Sequence, residues 1–130
     1  MEIKQVSIFV ENKAGRLAAI LEVLERKQIN IRAMSVSDAP EIGIIRLILS
    51  DADLGLSELR QAGFTARMDR VITTEIPDLP GGLLRHVVKP LAEAGINLEY
   101  FYAYSDSSTS QPVAIIKTDN LEKAEKILNN

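Results

Sequence analysis

Asn12-Lys13-Ala14-Gly15-Arg16-Leu17 recurs 66 residues later, altered, as Asp78-Leu79-Pro80-Gly81-Gly82-Leu83. Each copy closes an apolar, strand-like run (Val6 to Val10; Val71 to Ile76) and opens a stretch with the apolar spacing of a helix. About fifteen residues beyond each loop glycine comes a second echo, Gln28-Ile29-Asn30-Ile31 and Gly95-Ile96-Asn97-Leu98. The chain is therefore an internal repeat, with units expected at residues 1–68 and 69–130. A small polar residue, a glycine turn and a helix start, used twice, point to a site for a small charged molecule rather than to catalytic machinery.

Working outward from the first loop, Val6, Ile8 and Val10 alternate with Ser7, so Ile3 to Val10 reads as a strand with one core face. Asn12 stands where it can cap the helix that follows. That helix is expected over Arg16 to Lys27, with Leu17, Ile20, Leu21 and Leu24 on one face. Ile29 to Ser37 reads as a second strand, Asp38-Ala39-Pro40-Glu41 as a turn fixed by Pro40, and Ile42 to Leu49 as a third strand, apolar on both faces. Asp51 or Asp53 then starts a short helix that stops at Gly63. Phe64 to Met68 completes a βαββαβ unit and runs almost directly into Val71 to Ile76. A break or bulge is expected near Asp69-Arg70, because the joined stretch is long for one strand.

The second repeat departs from the first in three ways. Its first helix, from Gly82 to Ala94, contains Pro90, which should kink or divide it, and an inserted residue shifts the register. Its second strand, Leu98 to Tyr104, places Tyr100, Tyr102 and Tyr104 on one face, where the row is expected to cover the sheet. After Val113 to Thr118 and a helix capped by Asp119 or Asn120, no fourth strand follows, so that edge is either supplied by a neighbour or left open.

Composition sets the bounds. Hydrophobic residues at 46% and charged residues at 25% are ordinary for a globular protein, and no apolar run is long enough to span a membrane. The start Met1-Glu2-Ile3 leads directly into a strand pattern without a signal peptide, and a cytoplasmic protein is expected. The absence of cysteine and a single histidine argue against a transition-metal site. Residues 1–68 carry nine basic and nine acidic side chains and residues 69–130 six and nine, so the chain, at net −3, has no basic cluster for nucleic acid.

Two βαββαβ units with a glycine turn after the first strand, and a hydrophobic-Asn-hydrophobic opening to the second, resemble tandem ACT domains, in particular stand-alone two-ACT proteins. The resemblance implies an α+β fold of two ferredoxin-like repeats packed as a pseudo-two-fold pair, antiparallel sheets with helices on one face, the second repeat lacking its own fourth strand. It also implies a regulatory module that binds a free amino acid, without a cofactor, and that pairs as a homodimer or with a regulated protein. In serine-sensing members one asparagine lies three residues before the loop glycine and another at the second-strand start. Asn12 and Asn30 fall on those positions in the first repeat, Asp78 and Asn97 in the second. Ala14 stands where the family commonly has proline, and Asp78 attracts an ammonium group but repels a carboxylate.

A helix of eleven residues is about 17 Å long, so Asn12 and Asn30, at its two ends, cannot touch one small ligand. Two composite sites are therefore expected. One pairs Asn12, Ala14, Gly15, Arg16 and Leu17 with Asn97 and Leu98; the other pairs Asp78, Pro80, Gly81, Gly82 and Leu83 with Asn30 and Ile31. Loop amides and the helix end would hold the carboxylate, asparagine carbonyls the ammonium. Glycine in the loop keeps side chains from obstructing close backbone approach.

Two rival functions follow from other residues. An enzyme on a ferredoxin-like fold would use His86 as acid-base group, although beside Arg85 and Lys89 it reads as a solvated helix residue. A pure interaction module would use the tyrosine row and the open sheet edge.

Overall fold

A computed structural model of the chain describes residues 1–11, 13–37, 41–105 and 107–129. The chain divides into two compact units, Lys4–Asp69 and Arg70–Asn130 together with Met1–Ile3.

The Lys4–Asp69 unit is built from β1 (Glu2–Glu11), α1 (Arg16–Arg26), β2 (Ile31–Ser37), β3 (Ile42–Leu49), α2 (Ala52–Gln61) and the first half of β4 (Thr65–Glu75). Its strand order is β2-β3-β1-β4, the ferredoxin-like arrangement, with β1 and β2 both antiparallel to β3. Alternation along β1 turns Val6 and Ile8 to the helices, where they meet Ile20 and Leu24 of α1, Ile45 and Leu47 of β3, and Leu59 of α2 in one buried cluster. Val23 is buried with Ile20 and Leu24, while Leu21 is only half-buried, so the stripe on α1 lies slightly to one side of the expected one. Asp51 caps α2, its side chain accepting from the Leu54 amide at 3.1 Å. The expected turn at Asp38, Ala39 and Pro40 lies outside the described residues.

The Arg70–Asn130 unit contains the second half of β4, α3 (Leu84–Val88 and Lys89–Glu93), β5 (Leu98–Tyr104), β6 (Val113–Thr118) and α4 (Leu121–Asn129). β6 pairs antiparallel with both β4 and β5. Ile72, Val87, Leu91, Ala114, Ile116 and Ala124 form its core. Asn120 is the cap of α4, accepting from the Lys123 amide at 3.1 Å, whereas Asp119 accepts from the Asn97 amide at 3.1 Å. The tyrosine row is half-buried on the face opposite the helices, across from Val113, Ile115 and Lys117.

Two expectations are revised, and a third takes a specific form. β4 runs through Asp69-Arg70 without a break, because both charges have partners. Ser7 donates to Asp69 at 2.6 Å, and Arg70 pairs with Glu2 at 3.4 Å. The edge that lacked a strand is occupied by the chain's own first residues: the Thr73 amide donates to the Met1 carbonyl at 2.8 Å, and Met1 N donates back to Thr73 at 2.9 Å. At Pro90 the helix is divided in type though its backbone stays helical: α3 is a π-helical turn, Leu84–Val88, followed by an α-helical segment, Lys89–Glu93, with right-handed helical dihedrals at Val88 and Lys89. The Lys89 amide reaches back five residues to the Leu84 carbonyl. A π turn accommodates one additional residue, and the second repeat has one: Asn97 follows Gly81 by sixteen positions, Asn30 follows Gly15 by fifteen.

Candidate functional site

The two glycine loops adopt the same backbone. In the first, amides of Lys13, Arg16 and Ala19 donate to the carbonyls of Glu11, Lys13 and Gly15; in the second, Leu79, Gly82 and Arg85 donate to Pro77, Leu79 and Gly81. Among the described residues, each of these three bonds of the first loop reappears 66 positions on. Gly15 and Gly81 sit at φ of 89° and 81°, left-handed backbone that favours glycine. Gly15 is the N-cap residue of α1, and among the described residues no side chain caps that helix. Asn12 itself lies outside the described residues, as does its expected cap.

The loops differ in what surrounds them. A Cβ at Gly15 would meet nothing, so its own chain needs glycine there for conformation and not for clearance. In the second loop Gly82 is buried, and a Cβ there would overlap the Pro77 carbonyl oxygen. Arg16 holds the equivalent place in the first loop, where its amide bond lengthens to 3.3 Å against 3.0 Å at Gly82. Arg85 brings its guanidinium to 3.2 Å from where a Gly81 Cβ would stand. Asp78 and Pro80 are exposed, Leu83 half-buried.

The second echo is in part a helix stop. The Gln28 and Ile29 amides donate back to Glu25 and Leu24, and the Gly95 and Ile96 amides to Ala92 and Leu91, with Gln28 and Gly95 at positive φ. This is the Schellman pattern, in which the residue after the left-handed position is apolar and packs on the helix; Ile29 and Ile96 are buried accordingly. The asparagine that follows is bracketed through its backbone only. The Asn30 amide donates to Ser50 Oγ and its carbonyl accepts from the Ser50 amide, and the Asn97 amide donates to Asp119 Oδ1 and its carbonyl accepts from the Asp119 amide. Any residue could make those bonds. Both asparagine side chains are on exposed residues, and among the described residues neither makes a hydrogen bond. Gly15 and Asn30 stand at opposite ends of α1, and Gly81 and Asn97 at opposite ends of α3, so neither unit brings its own pair together.

Cavities border these residues in the Lys4–Asp69 unit. One of about 300 Å³ opens beside the first loop between Val10, Leu17, Gly43 and Ile45, with Glu11, Lys13 and Arg16 at the loop and Val36 and Ser37 on β2. A second, of about 410 Å³, shares Glu11 and Arg16 and is walled by Phe9, Ile42 and Phe64. A third, of about 570 Å³, borders Asn30 and Ile31. Glu11 pairs with Lys13 at 2.8 Å. That hydrogen bond, with the charges of Lys13 and Arg16, holds the Glu11 carboxyl below the usual carboxylate range. The pair is thus intact above the ordinary carboxyl pKa and fades as pH falls through the lowered one. Sequence reasoning missed Glu11, Val36 and Gly43; a glycine inside the otherwise apolar run of β3 was the available signal.

His86 is half-buried and not simply solvated, its Nε2 lying 3.3 Å from Thr74 Oγ1. No cluster of three or more metal-ligating side chains occurs among the described residues, and no helix among them is long and apolar enough to cross a membrane.

A βαββαβ unit and a βαββα unit with matched glycine loops define a tandem module of ferredoxin-like repeats. The profile of the ACT domain pair family matches residues 1–130, and the chain belongs to that family. Among solved structures, protein BT0572 from Bacteroides thetaiotaomicron is 32% identical, with a TM-score of 0.89 over 98% of this chain and 87% of that one. The regulatory subunit of aspartate kinase from Thermus thermophilus, in ligand-free form, shares the fold at 14% identity, with a TM-score of 0.68 over 98% of this chain and 91% of that one. The comparison with curated proteins finds no match.

Proposed function

We propose that this protein is a non-catalytic sensor that binds a free amino acid at its glycine loops and passes the binding on to a partner, either a second copy or a regulated protein. The observation that carries this reading is the pair Asn30 and Asn97. Each is held by its backbone, and among the described residues neither side chain makes a hydrogen bond. Membership of the ACT family and likeness to a regulatory subunit of aspartate kinase support it. From the sequence, Asn97 completes the site of Asn12 and Gly15, and Asn30 that of Asp78 and Gly81. A ligand held by residues from two repeats stabilises their arrangement, which is how binding without chemistry carries a signal.

Calorimetry and thermal shift against the twenty amino acids test the reading. At a ligand concentration a hundredfold above Kd, a bound amino acid should stabilise the fold by about 2.7 kcal/mol. Asn12→Ala and Asn97→Ala should each abolish the response to ligand, and His86→Ala should leave it. No response to any amino acid would restore the interaction-module reading; turnover lost on His86→Ala would restore the enzyme.

A further inference from the structure

We infer that the first repeat selects an amino acid with an apolar side chain, seated in the hollow that Gly43 leaves beside the first turn of α1. This rests on the amino-acid reading above and specifies its ligand.

Gly43 pairs with Val10 across β1 and β3, and both line the cavity. Neither conformation nor crowding demands glycine there. Its φ lies outside the left-handed range, and an added Cβ would make only ordinary contacts, 3.4 Å from the Ser37 carbonyl oxygen and 3.8 Å from that of Val10. What the missing side chain does is leave space. The second repeat is built differently at this place. Ile76, the counterpart of Val10, donates its amide to the Pro112 carbonyl, so a proline ring stands where the first repeat has Gly43.

The hollow suits one occupant. At about 300 Å³ it is at the small end of ligand pockets, enough for a single free amino acid and too small for a nucleotide. Its depth is aliphatic, from Val10, Leu17 and Ile45, and its loop side carries Arg16 and Lys13 beside Glu11. Among the described residues Arg16 makes no salt bridge, its charge reaching Glu11 without direct contact, so its guanidinium can take the ligand carboxylate, while Glu11, paired with Lys13, accepts from the ammonium. A polar ligand side chain would lose water among these aliphatic groups without regaining hydrogen bonds. An apolar one gains from burial.

Calorimetry on the full chain should find leucine, isoleucine, valine, methionine or phenylalanine bound at least about tenfold more tightly than serine, aspartate or lysine. Gly43→Val fills the hollow and should weaken the best apolar ligand about tenfold or more. Val36→Ser, at a position 58% exposed and therefore harmless to folding, should weaken that ligand about threefold while leaving serine unchanged; it decides the matter if Gly43→Val does not fold. A polar amino acid preferred over every apolar one, or full leucine affinity in folded Gly43→Val, overturns the assignment. If Asn97→Ala still abolishes that binding, amino-acid sensing stands and only the hollow falls. Absence of heat with all twenty removes both.

Discussion

At the scale of single residues, two glycines one position out of register in the repeat are required for different reasons. Gly15 is required for its dihedral, since its surroundings are empty, and Gly82 for its lack of a side chain, since the Pro77 carbonyl occupies the place of a Cβ. The costs of substitution should separate. Gly15→Ala should destabilise by about 1 kcal/mol, the strain of left-handed backbone. Gly82→Ala should cost about 3 kcal/mol, as overpacking against a rigid backbone does. Urea denaturation of both variants checks the order, and equal losses would mean that the second loop is free to move. Gly15 and Gly81 were legible from the sequence because a turn followed by a helix is a local pattern repeated in full. Gly43 was not, because its significance comes from Val10, more than thirty positions away along the chain and adjacent only once β1 pairs with β3.

At the scale of elements, β3 and β5 span the residues that their patterns predict, and α1 begins at Arg16 as expected. Periodicity carries that much, since a half-buried strand or helix must show its core face in the sequence. The failures were nonlocal. Asp69-Arg70 reads as an interruption until Ser7 and Glu2 are placed opposite. The bonding around Asp69 yields a prediction for β4. Gln5 donates to Ser7, and Ser7 and Arg67 both donate to Asp69, whose side chain is only 14% exposed. Asp69→Ala should therefore destabilise by about 1–3 kcal/mol, because it leaves a buried hydroxyl without its acceptor. Chemical denaturation measures it; a loss below about 0.5 kcal/mol would show the serine re-paired elsewhere.

At the scale of the whole molecule, repetition is imperfect in an informative way. Lys4–Asp69 is contiguous, whereas the second unit takes in Met1–Ile3 as well as Arg70–Asn130. Removing residues 1–3 should expose the Thr73 amide, abolish its protection from hydrogen exchange and lower the melting temperature, while amides of α1 and β3 stay protected. Unchanged protection at Thr73 would show that the Met1 bond is dispensable. The tandem ACT architecture was legible from two loops and two echoes. The source of the last strand was not, since no local pattern links Met1 to Thr73.

This borrowing bears on synthesis. A ribosome finishes every residue of the first unit by Asp69, so the partners of its β1–β3 pairing and of the Ser7–Asp69 bond are all available before the rest is made. The second unit must hold its earliest three residues in reserve until the codons for β6 and α4 have been read. Severing the polypeptide between Asp69 and Arg70 would leave Met1–Ile3 on the other fragment, parted covalently from the strand residue they bond.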